Sequence, residues 1–262
     1  MIYPYEQKAI KAARCTLKKY YISDPSKVDL RDIINCEGIL LKKIPMQSCQ
    51  GNLVRGAKFG IINVNSNIKN EHKFRFVLAH ELGHWFMHKD KMTFACSEKD
   101  FLSHASNTKQ IEIEANTYAS ELLIPSTTLI KDFEKKELSL ELLRTLSSRY
   151  NVSLTSLCLK VLMLNIKPIC VLFTQNGEIQ WNPKSSSFPY DFFGKPIIPP
   201  NSLTGRYNKG VSLAEYSTQN LAQNWFPKDV RIKADSYIEE VIVPMPSINS
   251  CLTILSQFEY IF

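Results

Sequence analysis

At 262 residues, 44% hydrophobic and 22% charged, the chain has a globular composition that allows two modest domains and excludes a disordered or fibrous protein. Its nine glycines leave little for flexible linkers or glycine-rich phosphate loops. The net charge of +7 is scattered over Lys42-Lys43, Lys135-Lys136 and many single positions, which fits a solvated lysine-rich surface better than a dedicated nucleic-acid patch.

Met1 to Glu6 has no charged start followed by an apolar core, so no secretory signal is expected. Apolar Ile10, Ala13, Leu17 and Tyr20 recur at three- to four-residue spacing and predict a helix over 6–21, broken at Asp24-Pro25-Ser26. A second short helix is predicted over 29–37, stopped by Gly38. The period then changes. Ile39-Leu40-Leu41, Gly51 to Val54 and Gly60 to Val64 read as short strands. If the last of these lay at a sheet edge, it could pair with an extended substrate backbone.

Lys73 to His88 is predicted as an amphipathic helix, residues 89–108 as polar and irregular, and 110–123 as a helix ending at Ile124-Pro125. Ser126 is placed as the cap of a helix over 127–136, and two more helices follow over 138–150 and 153–164. The most apolar stretch, 154–173, is interrupted by Lys160, Asn165, Lys167 and Pro168, so it predicts a core helix followed by a strand rather than a membrane span. Beyond Lys167, strands over 169–173 and 178–181 flank a tight Asn176-Gly177 turn, and further strands are predicted over 237–243 and 252–257. The seven cysteines are scattered, odd in number and without a Cys-x-x-Cys pair, which predicts reduced thiols and a cytoplasmic setting.

Three of the five histidines, His80, His84 and His88, fall within one predicted helix. Residues four apart share a helix face, so His80 and His84 can turn imidazole nitrogens toward one metal ion. Glu81, one residue on, is angled beside such an ion rather than onto it, which suits a general base. Gly83, inside the motif, costs about 1 kcal/mol of helix stability relative to Ala and is expected where another backbone packs close. A third ligand is expected from Glu112 or Glu114 on the next helix. Glu112 shares a stripe with small Ala115 and Ala119 and is favoured; Glu114 turns to another face. Asn116 is a candidate hydrogen-bond partner for a ligand histidine. His88 is read as a hydrogen-bonding or packing residue, because a fourth protein ligand would close the position that hydrolysis needs. His72 and His104 are isolated; His104 could line the cleft.

The run Arg75-Phe76-Val77-Leu78-Ala79-His80-Glu81-Leu82-Gly83-His84-Trp85-Phe86-Met87-His88, followed by Glu112-x-x-Ala115-Asn116-x-Tyr118-Ala119-x-x-Leu122-Leu123-Ile124-Pro125, resembles the ImmA/IrrE family of metallo-endopeptidases. The likeness spans roughly residues 5–165. It implies a gluzincin-type site with His80, His84 and Glu112 as ligands of one Zn2+ ion and Glu81 as general base. It also implies a protein substrate, a helix-turn-helix repressor whose cleavage would switch on mobile-element or stress genes. Tyr118 departs from the Phe common at its position.

The expected fold class is α+β: a zincin-like (gluzincin-type) catalytic domain over 1–125, a helix-turn-helix-like helical subdomain over 126–166, and a C-terminal α+β domain over 167–262. Two rival functions remain open from sequence. One is a zinc-stabilised module that binds a repressor without cutting it; the other is a DNA-binding regulator, tested by salt-sensitive affinity for an operator.

Overall fold

A computed structural model of the chain describes residues 3–47, 49–56, 59–89, 93–97, 107–214 and 216–257. The architecture is mixed α+β, arranged as two units: Met1–Glu134 with Arg144–Leu157, and Lys135–Leu143 with Cys158–Phe262.

The first unit opens with α1 (Pro4–Lys19) and α2 (Leu30–Cys36), whose N-cap Asp29 accepts a hydrogen bond from the Arg31 amide. Strands β1 (Ile39–Ile44), β2 (Cys49–Arg55) and β3 (Gly60–Asn65) follow, then α3 (Glu71–Met87), β4 (Thr93–Ser97), α4 (Asn107–Leu123) and α5 (Ser126–Phe133). The sheet order is β1-β3-β2-β4, with β1 parallel to β3 and the other pairs antiparallel. This corrects the edge role considered for 60–65: β3 is bonded on both sides, and among the described residues β1 and β4 are the edge strands. β4 itself arises in a stretch expected to be irregular; its pairing with β2 is long-range and leaves no local period to read.

α3 begins where the Asn70 side chain accepts a hydrogen bond from the Lys73 amide, at 2.9 Å. The helix packs against β2 and β3 on one side and against α1, α2 and α4 elsewhere. Eight consecutive residues, Val77 to His84, are therefore buried, where an amphipathic pattern was expected. α5 starts at Ser126 with Pro125 at the cap, so Ser126 is not the cap residue; instead its hydroxyl bonds the buried Glu121 carboxylate.

Helices α6 (Leu140–Tyr150) and α7 (Leu154–Met163) turn through Asn151, which adopts φ 52°. The second unit is built on an antiparallel sheet of β5 (Ile169–Gln175), β6 (Glu178–Trp181), β7 (Tyr216–Leu221), β8 (Tyr237–Met245) and β9 (Ser250–Gln257), in the order β6-β5-β9-β8-β7. The β5–β6 hairpin turns on Asn176 and Gly177, at φ 52° and 79°, the left-handed pair such a two-residue turn requires. Two short helices, α8 (Leu203–Asn208) and α9 (Ala222–Trp225), lie within this unit. Its core gathers Leu172, Phe188, Trp225, Phe226, Ile238 and Leu255. The fully buried Glu240 carboxylate accepts hydrogen bonds from the Leu203 and Thr204 amides, the Thr204 hydroxyl and Asn220 Nδ2, tying α8 to β8 and adding a side-chain link between β8 and β7.

Among the described residues no helix is long and apolar enough to cross a membrane. Cys15, Cys36, Cys49, Cys158, Cys170 and Cys251 are free thiols.

Candidate metal centre

Helical spacing stacks His80 and His84 on one face of α3, both fully buried, with their Nε2 atoms 2.9 Å apart. α4 brings Glu112 to the same point: Oε2 lies 3.2 Å from His80 Nε2 and Oε1 lies 3.4 Å from His84 Nε2. One donor atom from each of the three residues falls within 4.8 Å of the others.

The two helices come this close because of what is missing at Gly83. A Cβ there would sit 3.1 Å from Ala115 Cα and 3.2 Å from the Ala115 carbonyl oxygen, with the Tyr118 ring edge also at 3.1 Å. Ala115, Tyr118 and Ala119 are fully buried along this seam. The C-terminal end of α3 is held as well. Trp85 Nε1 donates to Glu37 at 3.1 Å, and the Arg55 guanidinium lies 3.8 Å over the Trp85 ring.

Hydrogen bonds on the far sides of the rings decide what faces inward. His80 Nδ1–H donates to Asn116 Oδ1 at 2.9 Å, which leaves an Nε2 lone pair toward Glu112. His84 Nδ1 meets His88 Nδ1 at 3.0 Å, and His88 Nε2–H donates to Glu114 Oε2 at 2.9 Å. The Nε2 atom of His84 faces the same space as His80 Nε2, 2.9 Å away. Two imidazole nitrogens and one carboxylate thus converge in a buried space, an arrangement that demands positive charge.

The protonation preferences express the same demand. Burial disfavours charge on His80, yet Glu112, with Glu81 and Asn116 adding, holds its pKa above the ordinary imidazole value. His84 is driven down to about 3 by burial, with charge on His80 and His88 adding, against the pull of Glu112. Burial alone would raise the Glu112 carboxyl, but the two imidazoles hold it far below the usual range. His88 is held below the ordinary imidazole value, first by burial, despite the attraction of Glu114. A proton can satisfy only one of the converging donors, whereas a divalent cation can satisfy all three. The residues therefore fit a metal ion, and two imidazoles with a carboxylate suit zinc.

Glu81 is fully buried beside this cluster. Its carboxylate lies against Gly51 of β2, where a Cβ would come 2.7 Å from Glu81 Oε1 and 2.7 Å from Val77 Cγ1. Gly51 was read only as part of a strand, although a glycine inside a strand is itself a sign of close approach. Glu114, the disfavoured ligand candidate, is the partner of His88 and not of the donor cluster. His88 bonds the far side of His84 and does not enter the space between the three donors. His72 lies in the first turn of α3, and His104 is outside the described residues.

A family model described as the peptidase M78, IrrE N-terminal-like domain matches residues 34–162. The metallopeptidase ImmA of Bacillus subtilis (strain 168) is 34% identical over 90 residues, covering 30% of this chain and 46% of that protein. The uncharacterized immunity region protein 2 of Bacillus phage phi105 is 35% identical over 80 residues, covering 30% of this chain and 47% of its own length. The chain thus spans under half of each curated relative. Among solved structures, a Mycobacterium tuberculosis transcriptional regulator superposes with a TM-score of 0.59 at 13% identity, covering 95% of this chain and 76% of the regulator. That likeness is one of fold.

Proposed function

Residues 34–162 carry a domain of the ImmA/IrrE family, and on that premise we propose that this chain is a zinc-dependent endopeptidase with a gluzincin-type, zincin-like catalytic domain. The observation that carries the reading is the meeting of His80, His84 and Glu112 at one buried point with Glu81 one residue along the same helix.

In this reading His80 Nε2, His84 Nε2 and a Glu112 carboxylate oxygen hold one zinc ion, which when bound lowers the pKa of a water and polarises the scissile carbonyl. Asn116 orients His80 from behind. The Glu81 carboxylate takes a proton from the attacking water and delivers it to the leaving amine nitrogen. An extended substrate backbone docks along β4, an edge strand among the described residues, whose partner β2 carries Gly51 against Glu81. The substrate class is a helix-turn-helix repressor in the cytoplasm. Glu81 favours an enzyme over a binding module, because a module that only sequesters its partner has no use for a buried base.

The test is incubation of zinc-loaded protein with helix-turn-helix repressors from the same genome, beginning with any encoded next to its gene, followed by mass spectrometry. Fragments that accumulate beyond one equivalent of enzyme are expected. An intact stoichiometric complex would overturn the reading in favour of sequestration.

Gly51→Ala probes the base independently. The new methyl must displace Glu81 or Val77, and a misplacement on the order of 1 Å costs about 10²-fold in rate. The variant is expected to retain zinc and lose about that much kcat/KM on a peptide substrate. Unchanged turnover would mean that the position of Glu81 does not matter.

A further inference from the structure

We propose that Glu114 and His88 form a hydrogen-bond relay that presents the His84 Nε2 lone pair to the metal, both acting as positioning residues. The proposal rests on the metal-centre reading above.

The chain of contacts begins at Gln110, whose Nε2 donates to Glu114 Oε1 at 2.8 Å, one turn back along α4. Glu114 Oε2 accepts from His88 Nε2–H at 2.9 Å, and His88 Nδ1 stands 3.0 Å from His84 Nδ1. The direction of the relay follows from its end group. A carboxylate only accepts, so His88 donates from Nε2, and as a neutral imidazole it keeps a lone pair on Nδ1. That lone pair can only accept, so His84 must carry its proton on Nδ1, and its Nε2 is left bare toward Glu112. Run in the opposite direction, the relay would set an imidazole lone pair against the Glu114 oxygens and a proton on His84 Nε2, where it would block the metal.

The backbone supports this arrangement. His88 is the C-cap residue of α3, at φ −116° and ψ 58°, while its amide still bonds the His84 carbonyl. The chain leaves the helix there, and the ring meets His84 from the side opposite the metal donors. His88 and Glu114 are both buried. The two ligand histidines are thus held differently: His80 by the neutral Asn116 amide, His84 by a relay ending on a carboxylate. A carboxylate behind a ligand imidazole makes it a stronger donor as well as fixing its tautomer.

The experiment measures zinc affinity by chelator competition and the His84 tautomer by 15N NMR of the metal-free chain, with thermal stability recorded alongside. His88→Leu removes the acceptor and is expected to weaken zinc binding about 10–100-fold, with His84 shifting to mixed tautomers. His88→Asn places an amide oxygen near the lost Nδ1 and is expected to restore affinity to within a few-fold. Glu114→Leu is expected to weaken binding on its own but to add nothing in the His88→Leu background, since it acts only through His88. If His88→Leu lowers stability while zinc affinity and tautomer stay unchanged, the pair is structural and the relay is refuted. Additive losses in the double variant would also refute it. If the unsubstituted chain takes up no zinc, the metal-centre reading itself falls, and the relay with it.

Discussion

Glu81→Gln is expected to leave zinc uptake and folding intact while lowering peptide cleavage by roughly 10²–10⁴-fold, the usual worth of a positioned general base. The isosteric amide fills the same buried space against Gly51 and Val77, so packing gives little reason for collapse. What is lost is the capacity to accept a proton from water and return it to the leaving amine. The measurement pairs bound zinc per chain with the rate of cleavage of a repressor or peptide. Full zinc occupancy with full cleavage would remove Glu81 from the mechanism.

The second large effect is expected from Gly83→Val. A lone Cβ already meets Ala115 and Tyr118 at 3.1 Å, and a branched side chain must push α3 away from α4. His80 and His84 ride on one helix and Glu112 on the other, so the displacement disturbs packing and donor geometry together. We expect destabilisation on the order of 3 kcal/mol, which lowers Tm by roughly 6–12 °C for a unit of this size, together with loss of tight zinc binding. Gly83→Ala should do far less. Its single methyl needs only a few tenths of an ångström of relief, partly offset by about 1 kcal/mol of gained helix propensity. If Gly83→Val melted and bound zinc like the parent, the close helix contact would not be what assembles the site.

Some of the site was legible because its logic is local. His80, Glu81 and His84 are related by helix geometry alone, and the apolar spacing around them announces the helix. Glu112 could be preferred to Glu114 because Ala115 and Ala119 mark which face of the second helix approaches the first. The Asn176-Gly177 hairpin was readable for a similar reason, since positive φ at two successive positions selects those residue types.

Other features depend on partners far along the chain. Nothing in Thr93–Ser97 reveals that it closes a sheet edge, and the period of Gly60–Asn65 cannot show that β1 and β2 flank it on both sides. Tyr216–Leu221 was likewise invisible: its exposed, polar alternation becomes a strand only through β8. Gly51 gains meaning only once Glu81 is laid against it, and Glu114 only once the end of α3 brings His88 to it.

By itself, then, the order of amino acids determined which side chains share a helix face, where helices and tight turns fall, and which donor types are on offer. Backbone sterics and the 3.6-residue period act over a few residues and leave their mark there. Strand order, the burial of residues 77–84 of α3 on all sides and the joining of Glu114 to His84 through His88 were decided by tertiary packing alone. Those arrangements are fixed by contacts between segments that carry no local record of one another.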